Sequence, residues 1–284
     1  MEIIATSFYK YVNVKYPENF QRRHFGFCNK LGIKGKILVS KEGINGAISG
    51  TREQVEKYKR EIIKNKLFKG IVFNDSYASE YPFKKTIVRV RKEIVTSGLK
   101  VNLRNKGKYI SPAELNKLIE SNDDFILVDA RNNYESKIGK FKGAITPNIE
   151  TFREFKSIIN DLNKFKDKKI VTYCTGGVRC EKASAFLREN GLTNVFQLGG
   201  GIINYINQFP DEYFEGRCFV FDDRLSIQTG RNTKDITICE LCHIPSGRYI
   251  NCANKKCDNL FICCEECDVK LKHTCSKKCR TKVF

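Results

Sequence analysis

The segment Ile170-Val-Thr-Tyr-Cys174-Thr175-Gly176-Gly177-Val178-Arg179-Cys180-Glu-Lys-Ala-Ser contains the residue types most suited to covalent chemistry. Ile170–Tyr173 reads as a buried strand, and a helix begins just after Arg179. Between them, Gly176 and Gly177 permit positive φ and leave backbone N–H groups unobstructed. Such a loop points several N–H dipoles and a helix N-terminus at one place, where an anion is stabilised. A thiolate is such an anion, so Cys174 is expected to be a nucleophile with a depressed pKa. Thr175–Arg179 form the anion loop, and Arg179 is expected to offer fixed positive charge to an oxyanion or phosphate. A buried structural cysteine would also suit a strand end, but the glycine pair, the arginine and the helix together favour chemistry. Cys180 reads either as a resolving thiol or as a residue buried in the first helical turn.

A second chemical constellation lies at the far end of the chain. Nine of the 13 cysteines fall between 239 and 279. They form the pairs Cys239 with Cys242, Cys252 with Cys257, Cys263 (or Cys264) with Cys267, and Cys275 with Cys279. Such short spacing lets two thiolates reach one tetrahedral ion with bonds of about 2.3 Å. Four pairs would fill two structural zinc sites, with His243 or His273 as substitutes for a thiolate and an iron–sulfur cluster as the rival content. Order alone does not say which pairs share an ion. A tail of this length buries little core, so metal is expected to supply much of its folding energy.

The formal net charge of +19 is unevenly spread. Residues 1–108 carry 24 Lys/Arg against 9 Asp/Glu, whereas residues 109–233 carry 17 of each. Compositional drift would spread over the whole chain, so a polyanionic partner for the first third is the better reading. Arg22, Arg23, Lys84 and Lys85 are the leading phosphate-facing candidates, with Lys34, Lys36, Lys41, Arg89, Arg91 and Lys92 nearby. Tyr9, Tyr11, Phe20 and Phe25 are interleaved with them and could stack a base. Filling the core of a small domain is the favoured role for these aromatics.

The elements that must position these groups follow from periodicity. Strands are expected near Phe8–Val14, Lys36–Ser40, Asn45–Ser49, Ile71–Asn74 and Thr86–Arg91. Helices are expected near Pro17–Leu31 and from the Thr51/Gln54 capping box to about Lys66. That order matches a ferredoxin-like, acylphosphatase-like α+β domain over 1–98. Leu99–Lys108 is polar and basic and reads as a linker. Ser111, Pro112 and Glu114 then start a helix. Strand-like Phe125–Val128, Ile170–Tyr173 and Val195–Leu198 alternate with helical Thr151–Phe165 and Glu181–Asn190. This alternation predicts a parallel α/β sheet over 109–217. The cysteine-rich tail occupies 234–284.

Asp129-Ala-Arg131, Glu135, Gly139, Gly143-Ala144 and Pro147, together with the Cys174 loop, resemble a rhodanese domain. Asp129 and Arg131 are implied as supporting residues. Cys174 to Arg179 spans six residues, the size of the sulfur-transferring members, and Lys140 stands where many rhodaneses have His. Gly43-Ile-Asn-Gly46, Phe152-Arg-Glu-Phe, the run from Cys174 to Ala183, and Arg248-Tyr-Ile-Asn-Cys-Ala-Asn extend the likeness over essentially the whole chain. Together they resemble the bacterial tRNA uridine 5-hydroxylase family. The resemblance implies oxygen-dependent hydroxylation of the wobble uridine 34, tRNA recognition at the anticodon loop, and an essential Cys174. A rhodanese sulfurtransferase with a persulfide on Cys174 is the rival enzyme, and a zinc-dependent RNA- or protein-binding adaptor is the non-enzymatic rival. Neither a dinucleotide fingerprint nor a facial-triad pattern appears, so the electron donor is not readable. With no run of about 18 apolar residues and no signal-peptide pattern, a cytoplasmic protein is expected.

Overall fold

The computed structural model describes residues 2–121 and 124–283. Its first sheet contains β1 (Ile3–Tyr11), β2 (Lys34–Ser40), β3 (Gly43–Thr51), β4 (Val72–Ala78) and β5 (Thr86–Val90), in the order β4-β1-β3-β2-β5. β5 runs parallel to β2, and the other neighbours are antiparallel. Alternation along each strand sends Phe8, Ile37, Val39, Ile44 and Ile48 to one face, where they pack on α1 (Pro17–Lys30) and α2 (Arg52–Lys64) through Cys28, Tyr58 and Ile62. α2 starts where expected: the Thr51 hydroxyl accepts from the Gln54 N–H, and Gln54 accepts from the Thr51 N–H. The opposite face has small and polar side chains. One cross-strand row on it runs Lys36, Ala47, Ser7, Asn74.

The second unit holds a parallel sheet of β6 (Lys108–Ile110), β7 (Phe125–Asp129), β9 (Lys169–Tyr173) and β10 (Val195–Leu198), ordered β6-β10-β9-β7. β8 (Gly139–Phe141) pairs antiparallel with β11 (Phe214–Gly216) beside it. Among the described residues this unit has the helices α3 (Pro112–Glu120), α4 (Asn133–Ile138), α5 (Ile159–Leu162), α6 (Val178–Glu189), which is the crossover from β9 to β10, and α7 (Gly201–Gln208). α6 and residues 152–162 cover one face of the sheet, while α3 and α7 cover the other. The expected helix over Thr151–Phe165 is instead 3₁₀ over Phe152–Ile158, then α5, then 3₁₀ over Asn163–Phe165. Buried Phe152, Phe155 and Ile158 recur every third residue, which aligns them on one edge of a 3₁₀ turn. The last part of the chain adds β12 (Cys218–Phe219), β13 (Ser226–Ile227), the pair β14 (Tyr249–Asn251) and β15 (Leu260–Ile262), and short helices α8 (Glu265–Lys270) and α9 (Lys277–Arg280).

Leu99–Lys108 is docked along the second unit. Leu99 is buried in its core, the Asn102 N–H donates to Glu189 (2.9 Å), and the Gly107 N–H donates to the Ser184 hydroxyl (2.9 Å). Two neighbouring residues of α6 then fasten the first sheet. Glu181 accepts from the Tyr9 hydroxyl (2.9 Å), from Lys106 (2.7 Å) and from the Tyr109 hydroxyl. Lys182 pairs with Glu42 (3.0 Å) and Glu93 (2.7 Å), and its side chain is only 4% exposed.

Burial works against the charge on Glu93, but Lys182 and the N–H groups of Gly98 and Ser97 prevail and bring its pKa down to about 2. The stabilisation from Glu93 is therefore present above the ordinary carboxylate range of about 4 and is lost as pH falls from there toward 2. Removing the cation leaves two carboxylates unpaired, so Lys182→Met is expected to cost about 3 kcal/mol. Limited proteolysis should then cut between residues 91 and 107 before the rest of the chain. An unaltered cleavage pattern and melting temperature would show that this contact does not hold the two units together.

Candidate active site and metal centres

Cys174 follows β9 directly, and its loop is held from behind by α7. The Ile202 N–H donates to the Cys174 carbonyl (2.9 Å) and the Ile203 N–H to the Thr175 carbonyl (3.1 Å). That approach requires glycine at 201, where φ is +66° and a Cβ would lie 2.4 Å from the Cys174 carbonyl oxygen. The Gly177 N–H points at the Cys174 sulfur (3.2 Å), from a backbone with φ of +98°. Gly177 thus has the positive φ expected of the glycine pair. Gly176 does not, and instead lies close to Ser7 and Asn74 of the first sheet.

Burial opposes ionisation of Cys174. The Cys180 thiol, the Arg179 charge and the N–H groups of Arg179 and Cys180 outweigh it, and the pKa falls to about 6. Cys180 moves the opposite way, raised by burial and by the negative sulfur beside it. At neutral pH Cys174 is therefore the thiolate and Cys180 the donor.

Arg179 does not point a free guanidinium at an incoming anion. It makes a two-pronged ion pair with Glu135 (2.5 and 2.7 Å), and Phe221 lies 5.6 Å from it. Thr175 joins the same pair through its hydroxyl, 3.3 Å from Glu135. Glu135 stays charged because Arg179 and Arg131 overcome its burial. Asp129 and Arg131 form a second pair, wholly buried, whose guanidinium also donates to the Gly139 carbonyl (2.6 Å). These four charges frame the loop from below.

The first sheet closes the loop from above. Tyr11 donates its hydroxyl to the Val178 carbonyl (3.3 Å), and Asn74 donates its amide to the Gly176 carbonyl (3.5 Å). The Cys174 side chain has no exposed surface, yet it lines a cavity of about 440 Å³ between the two units. Residues outside the sequence motifs thus complete the site, namely Ser7, Tyr9, Tyr11 and Asn74 from the first sheet, which meet Glu181 and the loop, while Glu135 of the rhodanese-like motif holds Arg179. Spacing within the chain contained no signal for the first-sheet contacts.

Arg22, Arg23, Lys84 and Lys85 are exposed. Arg22 and Arg23 lie on α1, on the far face of the first sheet from Cys174, whereas Lys36 lines the cavity itself. Phe20 stacks on His24 at 4.9 Å near the α1 core, and Tyr9 and Tyr11 have their hydroxyls engaged across the interface.

The tail gathers eight thiols into two groups of four. Cys239, Cys242, Cys264 and Cys267 form one, and Cys252, Cys257, Cys275 and Cys279 the other, with the sulfurs of each within 4.8 Å of one another. Sulfur separations of 3.6 Å (Cys242 to Cys264) and 3.7 Å (Cys257 to Cys275, Cys275 to Cys279) match the edge of a tetrahedron with bonds of about 2.3 Å. The donor sets therefore fit one metal ion each. First and third pairs share one group, second and fourth the other, so the two groups interleave along the chain. Cys264 takes the place expected for Cys263, because it caps α8 and accepts from the Cys267 N–H, while Cys263 is buried in the small core. His273 is engaged by Asp268 at 2.8 Å, and neither it nor His243 belongs to a group.

Alkylation of Cys174 by iodoacetamide, followed by peptide mass spectrometry, is expected to show a midpoint near pH 6, against about 8.5 for an ordinary thiol. Cys180→Ala removes a hydrogen bond to the thiolate and should move that midpoint upward. A midpoint above 8 in the unaltered protein would rule out the activated thiolate.

Three family models match the chain: UPF0176 acylphosphatase like domain over residues 3–94, Rhodanese-like domain over 111–208, and Rhodanase C-terminal over 215–280. Proteins of Bacillus mycoides, Bacillus cytotoxicus and Bacillus thuringiensis named tRNA uridine(34) hydroxylase are each 42% identical to it over 282 residues. The match covers 96% of this chain and 88%, 86% and 88% of those three. The likeness spans both main units, the thiol loop and the paired cysteines: the chain belongs to the tRNA uridine(34) hydroxylase family.

Proposed function

We propose that this chain is an oxygen-dependent oxidoreductase that hydroxylates C5 of uridine 34 in tRNA, with Cys174 as its catalytic residue. The observation that carries the reading is the geometry at Cys174, whose sulfur lies 3.2 Å from the Gly177 N–H and borders the cavity of about 440 Å³ between the two units. A thiolate adding to C6 of uracil pushes the electron pair toward C5 and the O4 enolate. C5 then meets molecular oxygen, one oxygen atom stays as the hydroxyl, and the other leaves as water with two electrons and two protons from a reductant. Departure of the sulfur and loss of the C5 proton restore the ring. The Cys180 thiol and the Gly177 N–H steady the sulfur as anion and as leaving group.

In this reading residues 1–98 bind RNA, residues 109–217 hold the catalytic loop, and residues 234–284 carry two structural zinc ions. Zinc suits sites of four thiolates and no open position. Arg22, Arg23, Lys84 and Lys85 serve as peripheral phosphate contacts that position the anticodon arm. No helix among the described residues is long and apolar enough to cross a membrane. The substrate places the enzyme in the cytoplasm.

Mass spectrometry of tRNA nucleosides from cells with and without the gene should show loss of 5-hydroxyuridine derivatives, and Cys174→Ser should fail to restore them. Restoration to full level by Cys174→Ser would end the proposal, and loss of thiolated bases instead would favour sulfur transfer. Elemental analysis of the purified protein should find two zinc ions per chain, reduced to one by Cys242→Ser. Iron, or the same metal content in that variant, would contradict the assignment.

A further inference from the structure

We propose that the cavity between the open face of the first sheet and the Cys174 loop receives the flipped uracil, with Ser7 and Asn132 as its base-recognition residues and Lys36 and Arg153 as contacts for the flanking phosphates. This rests on the hydroxylase reading and names the pocket through which it works. At about 440 Å³ the cavity has the size of a small-ligand pocket. It exists because Ala5, Ser7 and Ala47 leave the sheet face low, while Phe152 and Phe221 wall the other side and Cys174 helps to line it.

The polar atoms of the wall give the chemistry. The Ser7 Oγ and the Asn132 Oδ1 are buried and have no hydrogen-bond partner. The Asn132 amide nitrogen donates to the Tyr134 hydroxyl (3.0 Å), which fixes the side chain and leaves its oxygen free. An orphaned buried polar atom costs about 1–3 kcal/mol, and three residues lining this one cavity, Thr6, Ser7 and Asn132, each carry one, of which Ser7 lies in the same cross-strand row as Lys36. Uracil offers carbonyl acceptors and one N3–H donor. Ser7 donates to a carbonyl, and the Asn132 oxygen accepts from N3–H. Cytosine would set an unprotonated N3 against that oxygen and is rejected. The base is neutral, which suits a loop whose Arg179 is already paired with Glu135.

At the rim the charge changes. Lys36 stands in the same cross-strand row as Ser7, and Arg153 follows Phe152; both are exposed and line the cavity. Neither makes an ion pair among the described residues. A nucleotide turned out of a loop brings its two phosphates to the mouth of the pocket it enters.

The test uses the full-length protein and two synthetic anticodon stem-loop RNAs that differ only in U or C at position 34. Fluorescence anisotropy should show about a tenfold preference for U34, the size expected of one well-placed hydrogen bond. Asn132→Ala and Ser7→Ala should erase most of that preference, and Ala47→Leu, which fills the cavity, should erase it fully. Lys36→Glu with Arg153→Glu should weaken binding of both RNAs equally. In cells, Ala47→Leu and Asn132→Ala should both lower 5-hydroxyuridine while their melting temperatures stay near that of the unaltered protein. If both variants retain the preference and the modification, the pocket is elsewhere and the hydroxylase reading stands. If the unaltered protein prefers U34 yet cells lacking it keep all their 5-hydroxyuridine, the hydroxylase reading falls and the pocket stands.

Discussion

A sheet with helices on one face only must find cover for the other, and here the cover is the thiol loop. α1 and α2 bury the Phe8, Ile37 and Ile44 side of the first sheet. The Ser7, Tyr9 and Asn74 side comes down on Gly176, Gly177 and Val178. Much else in the molecule follows from that docking. Gly176 and Gly177 give close approach, Glu181 and Lys182 supply the fastenings, and residues 99–107 run along α6 as a strap rather than a loose tether. The small side chains on the docked face keep it from closing completely, so the fit leaves a cavity that Cys174 helps to line.

The electrostatics of the site divide along the same boundary. Beneath the loop, Asp129 with Arg131 and Glu135 with Arg179 form two buried pairs whose net charge is zero. Such pairs are costly to desolvate, and their value lies in fixing geometry. With Arg179 already paired, the net attraction left for an incoming anion is small, yet its field still favours the sulfur anion beside it. The loop is thus adapted to keep a thiolate rather than to bind a phosphate. A neutral, electron-poor ring is the fitting reactant for such a centre.

The tail solves a different problem. Its apolar core amounts to a few residues around Phe261 and the buried cysteines. One group of four thiols ties the segment before β14 to the segment after β15, and the other ties the turn between those two strands to the end of the chain, so neither group forms without distant parts of the tail in place. Tyr249 then connects this unit to α4 through a hydroxyl bond to the Tyr134 carbonyl (3.0 Å), while its neighbour Arg248 pairs within the tail with Asp268 of α8 (2.7 Å).

Local patterns in the chain determined a great deal. Strand periodicity and the capping boxes at Thr51 and Ser111 located the sheets and two of the helix starts, because each depends on residues near one another in sequence, whereas α6 begins at Val178 and takes Val178 and Arg179 of the expected loop into its first turn. The spacing of the cysteine pairs likewise announced two four-thiol groups. Tertiary structure alone decided the partner of Arg179, the choice of Cys264 over Cys263, the interleaving of the pairs, and the closure of the site by Ser7, Tyr9 and Asn74. Those contacts join residues far apart in the chain, and they depend on which way each side chain faces once two preformed surfaces meet. Periodicity tells which face of a strand is apolar, but it does not tell what will come to cover the other.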